Sequence, residues 1–373
     1  MRVLFPTDAR TVHGIETFLL NLIAELKRVG VEAIALASDT GPFSQRLRAL
    51  GVQTLGSPRE AGVRAVGRLR EAIREQRIDI VHLCYPSLLL ASMLAARAAR
   101  RPLIYHFGNF PPPSRRRWIP KIFRLREFRL GILGAAHAVA VTEAVRDAWL
   151  REGIGRHDRF SVIPNGLDTQ RFSPSARALG TRSALGIPAN AEVIGFAGQL
   201  VDYKGIQEFF QAGALLVRTR PNLYLLVVGG LGSDDYYERE LLRPVRALGI
   251  ESNTVFTGYQ SDTPRYFVEM DVLLVPSWRE PFGMVVLEGM ATEVPVIGAS
   301  SGGIPEIIRH DVDGLLVPPR DVAALVAATN RLLDSPEERQ RLGRAGRLRV
   351  LDQFAVSMTA SQVIALYESV RRS

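Results

Sequence analysis

The amino-acid sequence predicts an α/β protein with doubly wound parallel sheets, and three observations carry that prediction. Short apolar runs alternate with helix-period segments from end to end, the pattern of sheets covered by helices on both faces. At 373 residues the chain is long enough for two such domains, each with its own core. The alternation breaks at Pro164-Asn165-Gly166 and again at Pro174, so a domain boundary is expected between about 165 and 190.

In order, the first strand is 3–6, followed by polar, irregular sequence. His13-Gly14-Ile15-Glu16-Thr17 then opens a helix over 18–28, and Gly14 would let a ligand approach the backbone near its N-terminus. Further strands are expected at 32–37, 78–84, 103–107 and 138–142, each followed by a helix-like segment. His106 falls at the C-terminal end of its strand, where open α/β sheets place ligands. His82 lies inside an apolar run and reads as a core or supporting histidine.

Residues 111–130, PPPSRRRWIPKIFRLREFRL, interleave seven basic residues with apolar ones against the single acid Glu127. That pattern suits a solvated amphipathic helix packed on the sheet. It equally suits an interfacial helix over 114–130 resting on anionic lipid or gripping an acidic acceptor. No nucleic-acid motif or stacking-aromatic module accompanies it, so no nucleic-acid partner is expected.

In the second half a strand at 193–197 runs into Gly198-Gln199-Leu200-Val201-Asp202-Tyr203-Lys204-Gly205 and a helix over 206–220. Lys204, at a glycine-bounded helix entrance, is well placed against a diphosphate. A strand at 223–228 ends at Gly229-Gly230, and another at 255–258 precedes Tyr259.

The most distinctive stretch is 271–290, DVLLVPSWREPFGMVVLEGM. A buried strand over 271–275 closes at Pro276-Ser277, a loop follows, and a helix opens near Phe282 or Gly283, with Met284 in its first turn. The first amides of that helix have no internal partner and carry partial positive charge, and Gly283 removes bulk where an anion would approach. Glu280 sits beside the helix mouth. Glu288 lies inside an apolar run, where a carboxylate needs a hydrogen-bond partner. At helical spacing the two carboxylates would stand about 12 Å apart, beyond the separations used for glycoside hydrolysis. Separate tasks fit better: Glu280 gripping hydroxyls near an anion, Glu288 gripping a second diol.

A strand at 294–298 and Ser300-Ser301-Gly302-Gly303-Ile304-Pro305-Glu306 follow, the latter a helix start. Asp311-Val312-Asp313-Gly314 has the outline of a metal-binding D-x-D, but its place in a turn before a strand at 315–317 argues against that role. Terminal helices are expected at 321–334, 337–351 and 354–370.

Glu280-x7-Glu288, with PFGMVVLE between, resembles the signature of family 4 glycosyltransferases, which have the two-domain GT-B fold. The resemblance implies two Rossmann-like domains with parallel sheets facing a cleft. Residues 1–170 would bind the acceptor, 171–353 the sugar nucleotide, and 354–373 would form a helix crossing back to the N-terminal domain. It implies catalytic parts for Glu280, His106 and Lys204, with Glu288 on the ribose diol. Donor contacts fall to Gly14, Gln199, Lys204, Gly230 and Tyr259, and in the later segments to Glu280, Phe282, Gly283, Met284, Gly302 and Gly303. The chain departs from the family twice. His13-Gly14 stands where two glycines are usual, and Gln199 replaces an arginine, so its amide can hydrogen-bond phosphate but adds no charge.

The function so implied is metal-independent, retaining transfer of a hexosyl group from a UDP-, GDP- or ADP-sugar to an unidentified glycan or lipid-linked acceptor, without a cofactor. A sugar-nucleotide epimerase or hydrolase, or a non-catalytic nucleotide-sugar binder, would fit the same motifs. The charge is uneven: residues 1–165 carry 26 Lys and Arg against 14 Asp and Glu, so the excess of +9 belongs to this half. Such an excess suits an anionic substrate or a membrane surface. One cysteine, Cys84, excludes an internal disulfide. With Met1-Arg2 running straight into a strand and no long apolar run, the expected place is the cytoplasm or, through 114–130, the inner face of the membrane.

Overall fold

The computed structural model describes residues 1–9, 11–12, 14–38, 40–56, 63–112, 125–176, 180–230 and 234–372. Two compact units result: Met1–Gly166 together with Val356–Ser373, and Leu167–Ala355.

The first unit is built on seven parallel strands: β1 (Arg2–Pro6), β2 (Glu32–Ala37), β3 (Gln53–Gly56), β4 (Ile80–Leu83), β5 (Leu103–Phe107), β6 (His137–Ala140) and β7 (Phe160–Val162). Their order is β3-β2-β1-β4-β5-β6-β7, so the direction of winding reverses between β1 and β4. β4 and β5 are buried along their whole length, as parallel strands covered on both faces must be. The helix Gly14–Arg28 returns from β1 and buries Phe18, Leu19, Leu22, Ile23 and Leu26 at helical spacing. Against it packs the last helix, Val356–Arg372, through a face that includes Ala360, Val363 and Tyr367. The two chain ends of this unit touch: a Cβ on Gly166 would stand 2.4 Å from Val356 Cα, and Thr359 Oγ1 donates to Pro164 O at 3.0 Å.

The second unit repeats the plan with β8 (Glu192–Ala197), β9 (Leu223–Val228), β10 (Thr254–Phe256), β11 (Val272–Val275), β12 (Val296–Ala299) and β13 (Leu315–Val317). The order is β10-β9-β8-β11-β12-β13, with the reversal between β8 and β11. One face of this sheet contributes Ile194, Phe196, Leu225 and Leu274 to a core completed by Phe209 and Phe210 of the helix Ile206–Val217. Truncating a ring such as Phe209 to alanine in this setting costs about 3–5 kcal/mol.

Several boundaries differ from the sequence reading. The first helix begins at Gly14, ahead of its apolar periodicity, because its first turn is polar. β4 is shorter than the apolar run that contains it. β3 and β7 were not expected; both are short edge strands, and β3, QTLG, is largely exposed. His13 and residues 113–124 of the basic stretch lie outside the described residues. The end of that stretch forms the helix Arg126–Leu133. There Phe128 packs 4.7 Å from the Trp149 ring and Arg129 donates to Glu152 O at 2.9 Å, while Leu130 and Leu133 face solvent. Among the described residues no helix is long and apolar enough to cross a membrane.

Candidate functional site

In the second unit, three loops leave the carboxyl ends of neighbouring strands at and beside the reversal of strand order, where open α/β sheets bind ligands. The loop after β8 runs from Gly198 to Gly205, that after β11 from Pro276 to Gly283, and that after β12 from Ser300 to Gly303. Backbone bonds tie them together. Trp278 N donates to Tyr203 O at 3.0 Å and Gly303 N to Glu280 O at 2.9 Å, and Ser301 Oγ donates to Ser277 O. Gly205 is required where it stands: its φ is +78°, and a Cβ would come within 2.3 Å of Pro276 O.

This frame joins two residues 76 positions apart. Lys204 Nζ donates to Glu280 Oε2 at 2.6 Å, with the glutamate buried and the lysine partly open. Both stand beside the start of the helix Met284–Ala291. Its N-cap is Gly283, whose left-handed φ of 113° turns the chain into the helix without a side chain over the first amides. Those amides and the Lys204 ammonium make this corner positive, and Glu280 offsets the charge of the lysine. Phe282 is buried 6.3 Å from the Phe354 ring and anchors the loop from below.

Further along the same helix, Glu288 is partly shielded from solvent, and no described residue hydrogen-bonds its carboxylate. The expected partner is therefore missing among the described residues. Burial pushes the carboxyl up to about 7, opposed by the charges of Arg171 and Lys204. Gly230 and Tyr259 meet at the next strand ends, where a Cβ on the glycine would stand 2.7 Å from Tyr259 Cβ, and the tyrosine is 62% exposed. Gln199 follows Gly198 at the end of β8, and no charged group replaces it within that turn.

Two residues here lie outside the motifs of the sequence. Arg171, ahead of the break at Pro174, donates to Ser261 O at 2.6 Å and acts on Glu288. Its signal was the N-G-x-D turn before it: Asp168 accepts the Arg171 amide. Arg320 stacks its guanidinium 3.8 Å above the Trp278 ring and braces the loop carrying Glu280. Nothing in the local sequence announces that contact.

The first unit holds a different group. His82 of β4 and Cys84, the residue after its end, project to one side, and the pairing His82↔Ile104, Leu83↔Tyr105 carried one residue on brings His106 beside Cys84. His82 Nε2 lies 3.4 Å from His106 Nδ1, and His82 Nδ1 lies 2.5 Å from the Tyr367 hydroxyl. All are buried, so His106 does not stand open at the strand end as expected. Burial lowers the His106 pKa to about 4 and, with His106 beside it, holds His82 well below the ordinary value. His106 Nε2 has no partner among the described residues. Gly14 opens the neighbouring helix, and a Cβ there would meet nothing within 4 Å.

Metal-type donor atoms converge in one group among the described residues, His82, Cys84 and His106, all within 4.8 Å of one another. Burial and Glu16 push the Cys84 thiol up to about 12. In the D-x-D stretch, Asp313 accepts from Arg309 and Asp311 pairs with Arg331. Both carboxylates are committed to cations.

Two family models match the chain: "Glycosyltransferase Family 4" over residues 12–171, and "Glycosyl transferases group 1" over 181–349. Among curated relatives, the D-inositol 3-phosphate glycosyltransferase of Saccharomonospora viridis is 35% identical over 240 residues, 62% of this chain and 55% of that protein. The lipopolysaccharide core biosynthesis mannosyltransferase LpsB of Rhizobium meliloti is 30% identical over 218 residues, 57% of this chain and 61% of LpsB. The chain thus spans little more than half the length of these relatives. Among solved structures, Anabaena Alr3699/HepE in complex with UDP-glucose superposes with a TM-score of 0.86 at 25% identity, over 99% of this chain and 100% of that one. A Rickettsia africae glycosyltransferase superposes with a TM-score of 0.88 at 20% identity, over 99% and 98% of the two chains, a likeness of fold.

Proposed function

The chain belongs to glycosyltransferase family 4 and has the GT-B fold, and from that premise we propose that it transfers a hexosyl group from a nucleoside-diphosphate sugar to an acceptor hydroxyl. The supporting observation is the Lys204–Glu280 pair beside the open end of the helix Met284–Ala291. In this reading the pair is a resting arrangement. The incoming pyrophosphate takes Lys204 and the amides from Gly283 and Met284, with help from the Gln199 amide and from Gly302-Gly303. Glu280, released from the lysine, accepts hydroxyls of the donor sugar. Glu288 gives up its proton and accepts the ribose diol, and Gly230 and Tyr259 flank the base. In the N-terminal unit, His106 Nε2, which has no partner among the described residues, serves an acceptor oxygen.

Charge developing on the departing nucleoside diphosphate is stabilised by Lys204 and the helix amides, aimed in advance, without a divalent cation. The anomeric configuration is retained. The solved UDP-glucose complex of the Anabaena relative makes a UDP-sugar the first donor to try. The relatives' names suggest a polyol phosphate or a cell-surface glycan as acceptor class. Leu130 and Leu133, exposed after the basic stretch, support contact with a membrane carrying a lipid-linked acceptor.

Thermal melting with UDP-, GDP- and ADP-sugars in EDTA, followed by product analysis, tests the reading. One donor is expected to raise the melting temperature and to yield a glycosylated acceptor. Free sugar released equally fast with every acceptor omitted would reassign the chain as a hydrolase. No shift with any donor would overturn the reading.

A further inference from the structure

Of the polar atoms buried in the first unit, two stand out together: the Tyr367 hydroxyl, fully enclosed, and His106 Nε2, enclosed and without a partner. They are the ends of one chain of contacts, Tyr367 Oη to His82 Nδ1 at 2.5 Å and His82 Nε2 to His106 Nδ1 at 3.4 Å. Phe5 and Phe18 lie against the two imidazoles at 5.4 and 5.1 Å between ring centres, so these rings cannot swing to other partners.

Both imidazoles are neutral at physiological pH, each with one N–H. The chain can then be ordered in two ways. In the first, the phenol donates to His82 Nδ1, His82 Nε2–H donates to His106 Nδ1, and His106 carries its proton on Nε2. In the second every bond is reversed: His106 Nδ1–H donates to His82, His82 Nδ1–H donates to the phenol, and His106 Nε2 is a bare lone pair. Each order leaves one buried proton unpaired. In the second it is the phenol's own, beside which stands the Cys84 thiol, only a weak acceptor, and an unpaired buried donor costs about 1–3 kcal/mol. In the first it is the Nε2–H of His106, the atom assigned above to a ligand oxygen, so the deficit ends when that oxygen arrives.

We propose that Tyr367 and His82 are positioning residues that hold His106 in its Nε2–H tautomer. The last helix thereby makes this ring a hydrogen-bond donor to an acceptor oxygen, and not a base. This rests on the reading of His106 as a ligand contact, but its primary test does not need turnover.

Long-range ¹H–¹⁵N spectra of the full chain labelled at histidine report which ring nitrogens carry protons. The expected result is an unprotonated Nδ1 and a protonated Nε2 on both His82 and His106, unchanged from pH 6 to pH 8. Tyr367→Phe keeps the ring and removes the proton that orders the chain. It is expected to mix the tautomers of both histidines and to lower kcat by about two- to tenfold through the lost competent fraction, with little change in KM. Three results overturn the proposal: His106 protonated on Nδ1 in the wild type, unaltered imidazole signals in Tyr367→Phe, or a stoichiometric metal ion that shifts both imidazoles and is removed by chelator. The wild-type spectrum decides even if the variant folds poorly. Normal turnover in His106→Ala, with the tautomers as expected, would remove the ligand role of His106 while leaving the relay standing.

Discussion

The two units share a strand plan, yet they keep their reactive groups in opposite electrical states. In the C-terminal unit the groups are charged and paired, with Lys204 held on Glu280 at 2.6 Å at a helix mouth. In the N-terminal unit they are neutral and chained, two imidazoles and a phenol enclosed among aromatic rings. The difference follows from what each is proposed to meet. A pyrophosphate needs positive charge, and a bare lysine would be costly beside a buried wall, so the unliganded protein keeps a carboxylate on it. An acceptor hydroxyl needs only a directed hydrogen bond, which a neutral ring gives without the cost of burying charge.

That contrast can be broken by substitution, and the largest effect is expected on the charged side. Glu280→Ala should lower kcat by about a thousandfold or more while leaving the fold intact. Near-normal turnover would remove Glu280 from the sugar. Lys204→Ala should lower kcat about a hundredfold, and it should also destabilise the unliganded protein by about 1–3 kcal/mol, because Glu280 loses its partner. Urea unfolding of the two variants separates these effects. If Lys204→Ala is as stable as the wild type, the resting pair contributes nothing.

Glu288 sharpens the comparison, since burial holds its carboxyl pKa up to about 7, well above the ordinary carboxylate range. Its folded pKa of about 7 lies above the ordinary 4.5, so the folded protein holds this proton more tightly than the unfolded chain does. The stability this gives is full below pH 4.5 and is lost as pH rises through about 7. Relative to Glu288→Gln, the wild type should therefore lose up to about 3 kcal/mol between pH 4 and pH 8. Binding a nucleoside diphosphate should release a proton near pH 6, which calorimetry in buffers of different ionisation enthalpy detects. A difference between the two proteins that does not vary with pH would place the carboxyl in water. The smallest effect is expected of Gln199→Arg, a gain of about two- to fivefold in diphosphate affinity from one partly solvated charge.

Much of the C-terminal group was legible in the sequence because its chemistry is local. Gly198, Gly205, Gly283, Lys204 and Glu280 sit at strand ends and helix starts, with Glu288 in the helix that follows, where a short motif and its geometry coincide. What was not legible is what distant segments do to one another. The bond from Lys204 to Glu280 spans 76 positions, the stack of Arg320 on Trp278 crosses two loops, and Tyr367 reaches His82 across 285 residues. The edge strands β3 and β7 escaped for another reason. A strand buried on one side or neither has no long apolar run, and only pairing with a neighbour makes it a strand. His82 lies in an apolar run that gives no hint of its contacts with Tyr367 and His106.

The most direct test is a crystal structure of the chain with a bound nucleoside diphosphate, with UDP tried first. The pyrophosphate should lie on the amides of Gly283 and Met284 with Lys204 turned from Glu280 onto a phosphate oxygen, and Glu288 should accept both ribose hydroxyls. A nucleotide bound elsewhere, or one bound there with the Lys204–Glu280 pair still closed, would contradict the claim that this corner of the C-terminal unit is held ready for the donor's phosphates.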